Sequence, residues 1–189
     1  MNLDERVREL LNEGDEAGAA TEALRALGPG LLRYLRSVLG NEDDAADVFS
    51  EFAENVWKGL RNFRGDSAIR TWAFRIAFNA ARDFRDDAWK KRGRRLATNE
   101  ALALVEEIRT KTFVREARKQ KALDKLREGL SPQDQSLLAL RIDQGFSWPE
   151  IAEILSASGE DVQPNALMKR FERLKDRLGE QAREQGLLE

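Results

Sequence analysis

The chain has 189 residues, of which 32 are Lys or Arg and 34 are Asp or Glu, and it contains neither cysteine nor histidine. The lack of cysteine excludes disulfide bonds and cysteine nucleophiles, and the lack of histidine removes the commonest general base and transition-metal ligand. No apolar run approaches the roughly 20 residues of a membrane span, and the acidic start MNLDERVREL is unlike a secretory signal. We therefore expect a cytoplasmic, non-catalytic protein without cofactor, metal or membrane insertion.

Helical periodicity runs through the chain and strand patterns are absent, which predicts an all-α fold. The first segment predicts short helices over 3–13 and 16–27, closed by Gly28-Pro29-Gly30, and a separate helix over 31–39. Asn41 is the expected N-cap of the next helix, whose apolar residues recur in steps of four. Its other face is acidic. Simple exposure to solvent explains such a face as well as a functional role does.

The charge changes sign along the chain. Residues 1–60 contain six basic and thirteen acidic residues, whereas residues 61–95 contain eleven basic and four acidic ones. In the basic segment, Asp66 or Ser67 is expected to cap a helix that carries Trp72, Phe74 and Phe78. A basic surface interleaved with aromatics is typical of a site that follows a nucleic-acid backbone and stacks on bases. Aromatics at helical spacing are more often core, so a structural role stays open.

The C-terminal part contains two helix-start signatures. Ser131 is an expected N-cap followed by Pro132, and Ser147 to Glu150 form an expected capping box. A buried helix including Ile142 should stop at Gly145. The short helix 148–155 and the amphipathic last helix then suggest a helix-turn-helix, although many helical hairpins share that pattern.

These segments, in this order, resemble the extracytoplasmic-function (ECF) sigma factors of bacterial RNA polymerase. DAADVFSEFAENVW (44–57) and FRGDSAIRTWAFRIAFN (63–79) are similar to the second conserved region of that family. LSPQDQSLLALR (130–141) and GFSWPEIAEIL (145–155) are similar to its fourth region. The resemblance implies two small helical domains, 1–95 and 115–189, joined by a linker over 96–114, with the second domain a helix-turn-helix.

The resemblance also implies a role for each site. Core polymerase would bind the acidic helix through Asp47, Val48, Ser50, Glu51 and Trp57. The −10 element would be opened, and a flipped base captured, by Phe63, Arg64, Gly65, Asp66, Ser67, Trp72, Arg75, Asn79, Arg82 and Arg85. The −35 element would be bound by Asn165, Lys169, Arg170 and Arg173. The implied partners are core RNA polymerase, promoter DNA and an anti-sigma factor.

Three departures from the family pattern bear on these roles. Ser50 stands where the family usually has Gln, and the turn from Ser156 to Pro164 is longer than usual. The last helix also carries Glu172 and Asp176, which dilute its positive face. The leading hypothesis is a promoter-specificity subunit. One alternative is a sigma-like decoy that occupies an anti-sigma protein without reading promoters, and another is a plain helix-turn-helix repressor. The repressor hypothesis leaves the acidic N-terminal half without a role.

Overall fold

The computed structural model describes residues 2–86, 103, 105–108, 127, 129–156, 159 and 161–184. Within these residues the chain is built from helices, which confirms the all-α prediction. The helices are α1 (Leu3–Asn12), α2 (Glu16–Leu39), α3 (Glu42–Gly59), α4 (Ile69–Asp86), α5 (Pro132–Leu138), α6 (Trp148–Leu155) and α7 (Pro164–Glu184). The 3-10 turn Leu60–Asn62 follows α3, and the π-helical turn Ala139–Asp143 follows α5.

Helix α2 corrects the prediction of two helices separated at Gly28-Pro29-Gly30. It continues through Pro29 to Leu39, although proline removes one helix hydrogen bond. Residues on both sides of Pro29 lie on one buried face, including Leu24, Leu31 and Leu35. Packing of this face against α3 and α4 overrides the local signal to stop. The helix ends at Gly40, whose φ of 81° is left-handed.

The start of α4 corrects a second prediction. The backbone N–H of Ile69, the first residue of α4, donates to a carboxylate oxygen of Asp4 at 2.7 Å. Neither Asp66 nor Ser67 supplies this bond. Asp4 lies in α1, so this hydrogen bond joins the first helix of the chain to the start of α4. It thereby orients the first turn of α4 relative to α1.

Both C-terminal helix starts are confirmed. Ser131 accepts a hydrogen bond from the backbone of Asp134, with Pro132 in the first turn, and Ser147 forms its capping box with Glu150. The prediction of a buried Ile142 is wrong, since its side chain is 60% exposed. In the π-helical turn the Gln144 N–H donates to the Ala139 carbonyl, and the wider turn rotates Ile142 out to solvent.

One hydrophobic core joins the N-terminal and C-terminal helices. It contains residues from α2, α3 and α4 and also from α5, α6 and α7. Val105 and Ile108, which fall within the predicted linker, are buried in the same core. A second, smaller cluster packs α1 against α2 and the start of α4. Most of the predicted linker and the basic residues 87–95 lie outside the described residues.

Candidate nucleic-acid and partner interface

The outer face of α3 carries the predicted partner-binding acids. Asp47 and Glu51 are one helical turn apart and solvent-exposed, because the opposite face of the helix is packed into the core. Glu54 continues the same face and is paired with Lys58. The acidic first turn, Glu42 to Asp44, lies where negative charge is favoured by the helix dipole. The result is an exposed negative surface on a rigid helix.

The other three residues predicted at this surface are placed differently. Val48 is only 1% exposed and belongs to the core, so in this structure it supports the helix from behind. The Ser50 hydroxyl donates to the Ala46 carbonyl at 2.8 Å, within its own helix. Trp57 is half-buried and packs against both hydrophobic clusters at the end of α3. Asp47 and Glu51 are therefore the predicted residues most available to a partner.

The loop before α4 is anchored by a pair of aromatic side chains. Phe63 packs its ring on Trp72 of α4, with 5.3 Å between ring centroids. Beyond this pair, Arg64 and Asp66 are each more than 80% exposed and lie 3.8 Å apart. Gly65 between them has a φ of 76°, a left-handed conformation that favours glycine. The loop thus places charged donors and acceptors next to a half-buried indole ring.

The predicted nucleic-acid residues of α4 do not form one exposed face. Phe74 and Phe78 are buried, which shows that these aromatics belong to the core. Arg75 lies 3.5 Å from Glu153 of α6, and Arg82 pairs with its neighbour Asp83 at 3.1 Å. Among the predicted −10 residues, the loop and Trp72 therefore lie together, whereas Arg75 faces the C-terminal helices.

Asn79 and Arg85 each have a buried polar atom without a partner in the described part of the chain. These atoms are the Asn79 Oδ1 and the Arg85 Nη1. Burial lowers the pKa of Arg85, although the nearby Tyr34 opposes that shift. Burial raises the pKa of Tyr34 to about 12. The hydrogen bond from its hydroxyl to the Ser136 hydroxyl, at 3.3 Å, opposes that shift. The Tyr34 hydroxyl therefore stays protonated at neutral pH.

Helix α7 presents a mixed exposed face. Its apolar residues Leu167, Phe171 and Leu174 are buried against α5 and α6, as their spacing predicts. Trp148 of α6 packs edge-on against Phe171 at 5.4 Å between ring centroids. The predicted −35 residues Asn165, Lys169 and Arg173 are exposed.

Arg170, the fourth predicted −35 residue, is bound within the protein. Its Nε donates to Asp134 at 2.7 Å, and Arg177 donates to the other oxygen of the same carboxylate at 2.9 Å. Burial of Asp134 opposes its ionisation, but the two guanidinium groups nevertheless hold its pKa below the usual value. This cluster fixes α7 to the start of α5, and Arg170 would have to leave it to contact a base.

Two residues at these surfaces were missed from the sequence. Met168 is 43% exposed beside Lys169, and its position off the apolar stripe of α7 was the available signal. Arg70 places its guanidinium 3.9 Å from the centre of the Phe146 ring. These two residues are 76 positions apart, so no local pattern could have paired them.

Comparisons with known proteins identify the family of the chain. Residues 23–94, which include α3, the loop and α4, match the model of the Sigma-70 region 2 family. The chain is 30% identical over 142 residues to the RNA polymerase sigma factor YlaC of Bacillus subtilis, covering 75% of this chain and 82% of that protein.

Two further relatives match over shorter lengths. The RNA polymerase sigma-H factor of Pseudomonas aeruginosa is 33% identical over 87 residues, which is 42% of this chain and 41% of that protein. The ECF RNA polymerase sigma-E factor of Haemophilus influenzae is 29% identical over 87 residues, 43% of this chain and 42% of that protein. None of the described helices is long and apolar enough to cross a membrane. On these grounds the chain belongs to the RNA polymerase sigma factor family, and within it to the ECF type.

Proposed function

We propose that the chain directs core RNA polymerase to specific promoters and melts the −10 element, catalysing no reaction itself. The observation that carries this proposal is the loop Phe63 to Ser67, which exposes Arg64 and Asp66 directly beside Trp72. Separating bases costs a few kcal/mol, which stacking on an aromatic ring and hydrogen bonds to the base edge can offset. Arg64 and Asp66 are suited to hydrogen bonds with a base edge, and the partly exposed rings of Phe63 and Trp72 are suited to stacking.

The remaining sites divide between protein and DNA. The exposed acids Asp47 and Glu51 would bind a basic surface of core polymerase, which gives the acidic helix a role in a DNA-binding protein. Helices α6 and α7 would form the helix-turn-helix, with Lys169 and Arg173 at the −35 element. An anti-sigma factor is the expected regulatory partner. The comparisons lend no support to the decoy alternative.

Run-off transcription tests this proposal. Core polymerase, with and without the added chain, would transcribe a library of genomic fragments. We expect defined start sites that appear only with the chain and share sequences near −10 and −35. If the chain bound core polymerase and gave no such starts on any fragment, promoter recognition would be the wrong function. A chain carrying Asp47→Lys and Glu51→Lys is the matched control and should lose the transcripts together with polymerase binding.

A further inference from the structure

Helix α1 packs against both ends of the loop Phe63 to Ser67. Its residues Val7 and Leu10 are buried in one apolar cluster with Leu60 and Ile69. Leu60 lies shortly before the loop, and Ile69 is the first residue of α4 after it. Helix α1 therefore helps to hold both ends of the loop in place.

Two polar residues of α1, Asp4 and Arg8, face the loop region and lie one helical turn apart. The carboxylate of Asp4 accepts the hydrogen bond from the Ile69 N–H at the start of α4. The Nη2 atom of Arg8 lies 3.7 Å from the position that a Cβ atom of Gly65 would occupy, in the middle of the loop. One turn of α1 thus anchors the start of α4, and the next turn reaches the exposed part of the loop.

Arg8 is available to a partner. Its side chain is exposed, and within the described part of the chain it makes neither a hydrogen bond nor an ion pair. By contrast, Arg6 on the same helix is paired with Glu9. Apart from the chain neighbours of Gly65, no other described atom comes within 4 Å of the Cβ position at that glycine. A nucleic-acid strand that passes over Gly65 would therefore meet the Arg8 guanidinium.

The surroundings of Arg8 favour a phosphate over a base edge as its ligand. To read a base edge, a guanidinium must be held in one orientation, so that two of its donors meet two acceptors of the base. No described group holds Arg8 in this way, whereas a phosphate contact mainly requires a positive charge at the right place. Arg64 and Asp66 are the groups of the loop that suit a base edge. Contacts to the base and to the backbone are then divided between the loop and α1.

We propose that Arg8 of α1 is a DNA-binding residue of the −10 site, and that its guanidinium binds a phosphate of the single strand held by the loop. The inference rests on the proposed function. It extends the site to a helix outside residues 23–94, the part of the chain that matches the Sigma-70 region 2 family. Since Asp4 joins this helix to the start of α4, the bound phosphate and the captured base are held at a fixed separation. The contact therefore adds affinity without adding sequence preference.

The salt dependence of DNA binding tests the inference. Core polymerase saturated with the chain would bind a fluorescent probe that is single-stranded over the −10 sequence mapped by run-off transcription. We expect Arg8→Ala to weaken binding about threefold to tenfold at low salt. The slope of the logarithm of the association constant against that of the salt concentration should fall by about 0.7, the contribution of one phosphate on a single strand. Arg8→Lys keeps the charge and should keep the slope. Arg25→Ala, which removes the same charge at an exposed position of α2, is the matched control.

The outcomes separate this inference from the proposed function. If the unaltered chain gives core polymerase no affinity for the probe, the proposed function fails and the inference fails with it. If the unaltered chain confers binding, and Arg8→Ala has the same affinity and slope as Arg25→Ala, the inference alone is overturned. If Arg8→Lys fails to restore binding and the loss varies with the sequence of the probe, Arg8 reads a base, which also overturns the phosphate contact. A loss of stability in urea with an unchanged slope would mean that Arg8 supports the loop instead of binding DNA.

A tethered cleavage reagent gives an independent test of where Arg8 lies in the promoter complex. The chain has no cysteine of its own, so Arg8→Cys provides a single attachment point for an iron chelate that cleaves nearby DNA through hydroxyl radicals. In the complex with core polymerase and promoter, we expect cleavage within the −10 sequence. The same chelate at Glu172→Cys, an exposed position of α7, is the control and should not cleave there. Absence of cleavage at −10 from position 8 would overturn the inference.

Discussion

Arg64 and Arg70 are six residues apart, yet their surroundings differ completely. Arg64 is exposed in the loop, and Arg70 is stacked on Phe146 and hydrogen-bonded to a backbone carbonyl. In the sequence both are basic residues of the same positively charged segment. The difference matters because an exposed arginine can meet DNA at no structural cost, whereas Arg70 would first have to leave the Phe146 ring and the Gln144 carbonyl.

Arg64→Ala should therefore impair promoter opening without destabilising the fold. The side chain is largely exposed, so we expect a change in the free energy of unfolding within about 0.5 kcal/mol. Loss of one contact to a base edge or phosphate should weaken the open complex by about 1–3 kcal/mol. Permanganate reactivity of the melted region measures this effect. Arg25→Ala, at an exposed position of α2, is the control, and equal reactivity in both variants would remove Arg64 from the site.

The two arginines that share Asp134 provide a test of the −35 prediction. Arg170 and Arg177 bind the same carboxylate at nearly the same distance, but only Arg170 is predicted to contact a base. Loss of either one should leave Asp134 with one guanidinium partner. Arg170 also donates to the Gln133 side chain at 3.3 Å, so the two substitutions have similar structural consequences in their loss of the Asp134 contact and differ in the predicted function.

Arg170→Ala should weaken binding to the −35 element and relax its sequence preference, by about 1–3 kcal/mol for a base contact. Arg177→Ala should lower stability to a similar extent but leave the preference unchanged. Selection of bound sequences from a randomised −35 library, with urea denaturation in parallel, separates the two effects. Identical behaviour of both variants would assign Arg170 to anchoring α7 rather than to reading bases.

At the scale of single helices, the local signals predicted most of the boundaries. The Ser-Pro start of α5, the capping box of α6 and the apolar stripe of α7 depend on residues three or four positions apart, and all three are present in the structure. Because such signals depend only on neighbouring residues, they can be recognised in the sequence without the structure. The predicted limits of α6, 148–155, agree with the structure residue for residue.

Two of the wrong predictions share one cause, which is a distant contact that overrides a local signal. Gly28-Pro29-Gly30 should end a helix, but α2 continues because its buried face packs on α3 and α4. Asp66 and Ser67 should cap α4, but the bond comes from Asp4, 65 residues earlier. Neither contact leaves a trace in the neighbouring sequence.

The glycines of α2 and α7 should respond in opposite ways to alanine. A Cβ atom at Gly28 would lie 2.7 Å from the Cδ1 atom of Ile108 and 3.3 Å from the Phe49 ring, so alanine here would force these side chains to shift. We expect Gly28→Ala to destabilise the protein by about 1–3 kcal/mol through overpacking. A Cβ at Gly179 would meet no described atom, and Gly179→Ala should stabilise α7 by about 0.5–1 kcal/mol. Urea denaturation of both variants measures the change in the free energy of unfolding. A stabilising effect of Gly28→Ala would contradict the close packing around Gly28.

At the scale of the whole molecule, the sequence predicted two groups of helices and not their association. The family resemblance is confirmed, whereas its assignment of particular segments to polymerase and DNA stays a prediction. The contact between α4 and the C-terminal helices depends on pairs such as Phe74 with Phe146, just before α6, and Arg75 with Glu153 of α6, which are more than 70 residues apart. Local periodicity relates only residues a few positions apart, so it does not predict this pairing.

A shared core makes the two groups of helices unfold together. Phe74, Phe146 and the surrounding apolar residues form one cluster, so separating the groups would expose apolar surface on both. Trp148→Phe leaves tryptophans only in the N-terminal part, at 57, 72 and 89, whereas replacing those three with Phe leaves Trp148 as the C-terminal probe. In each variant we expect the urea transition measured by fluorescence to coincide with that measured by far-UV circular dichroism. Separate transitions would mean that the two groups of helices are independently stable domains, and that the apolar contacts between them contribute little to the stability of either.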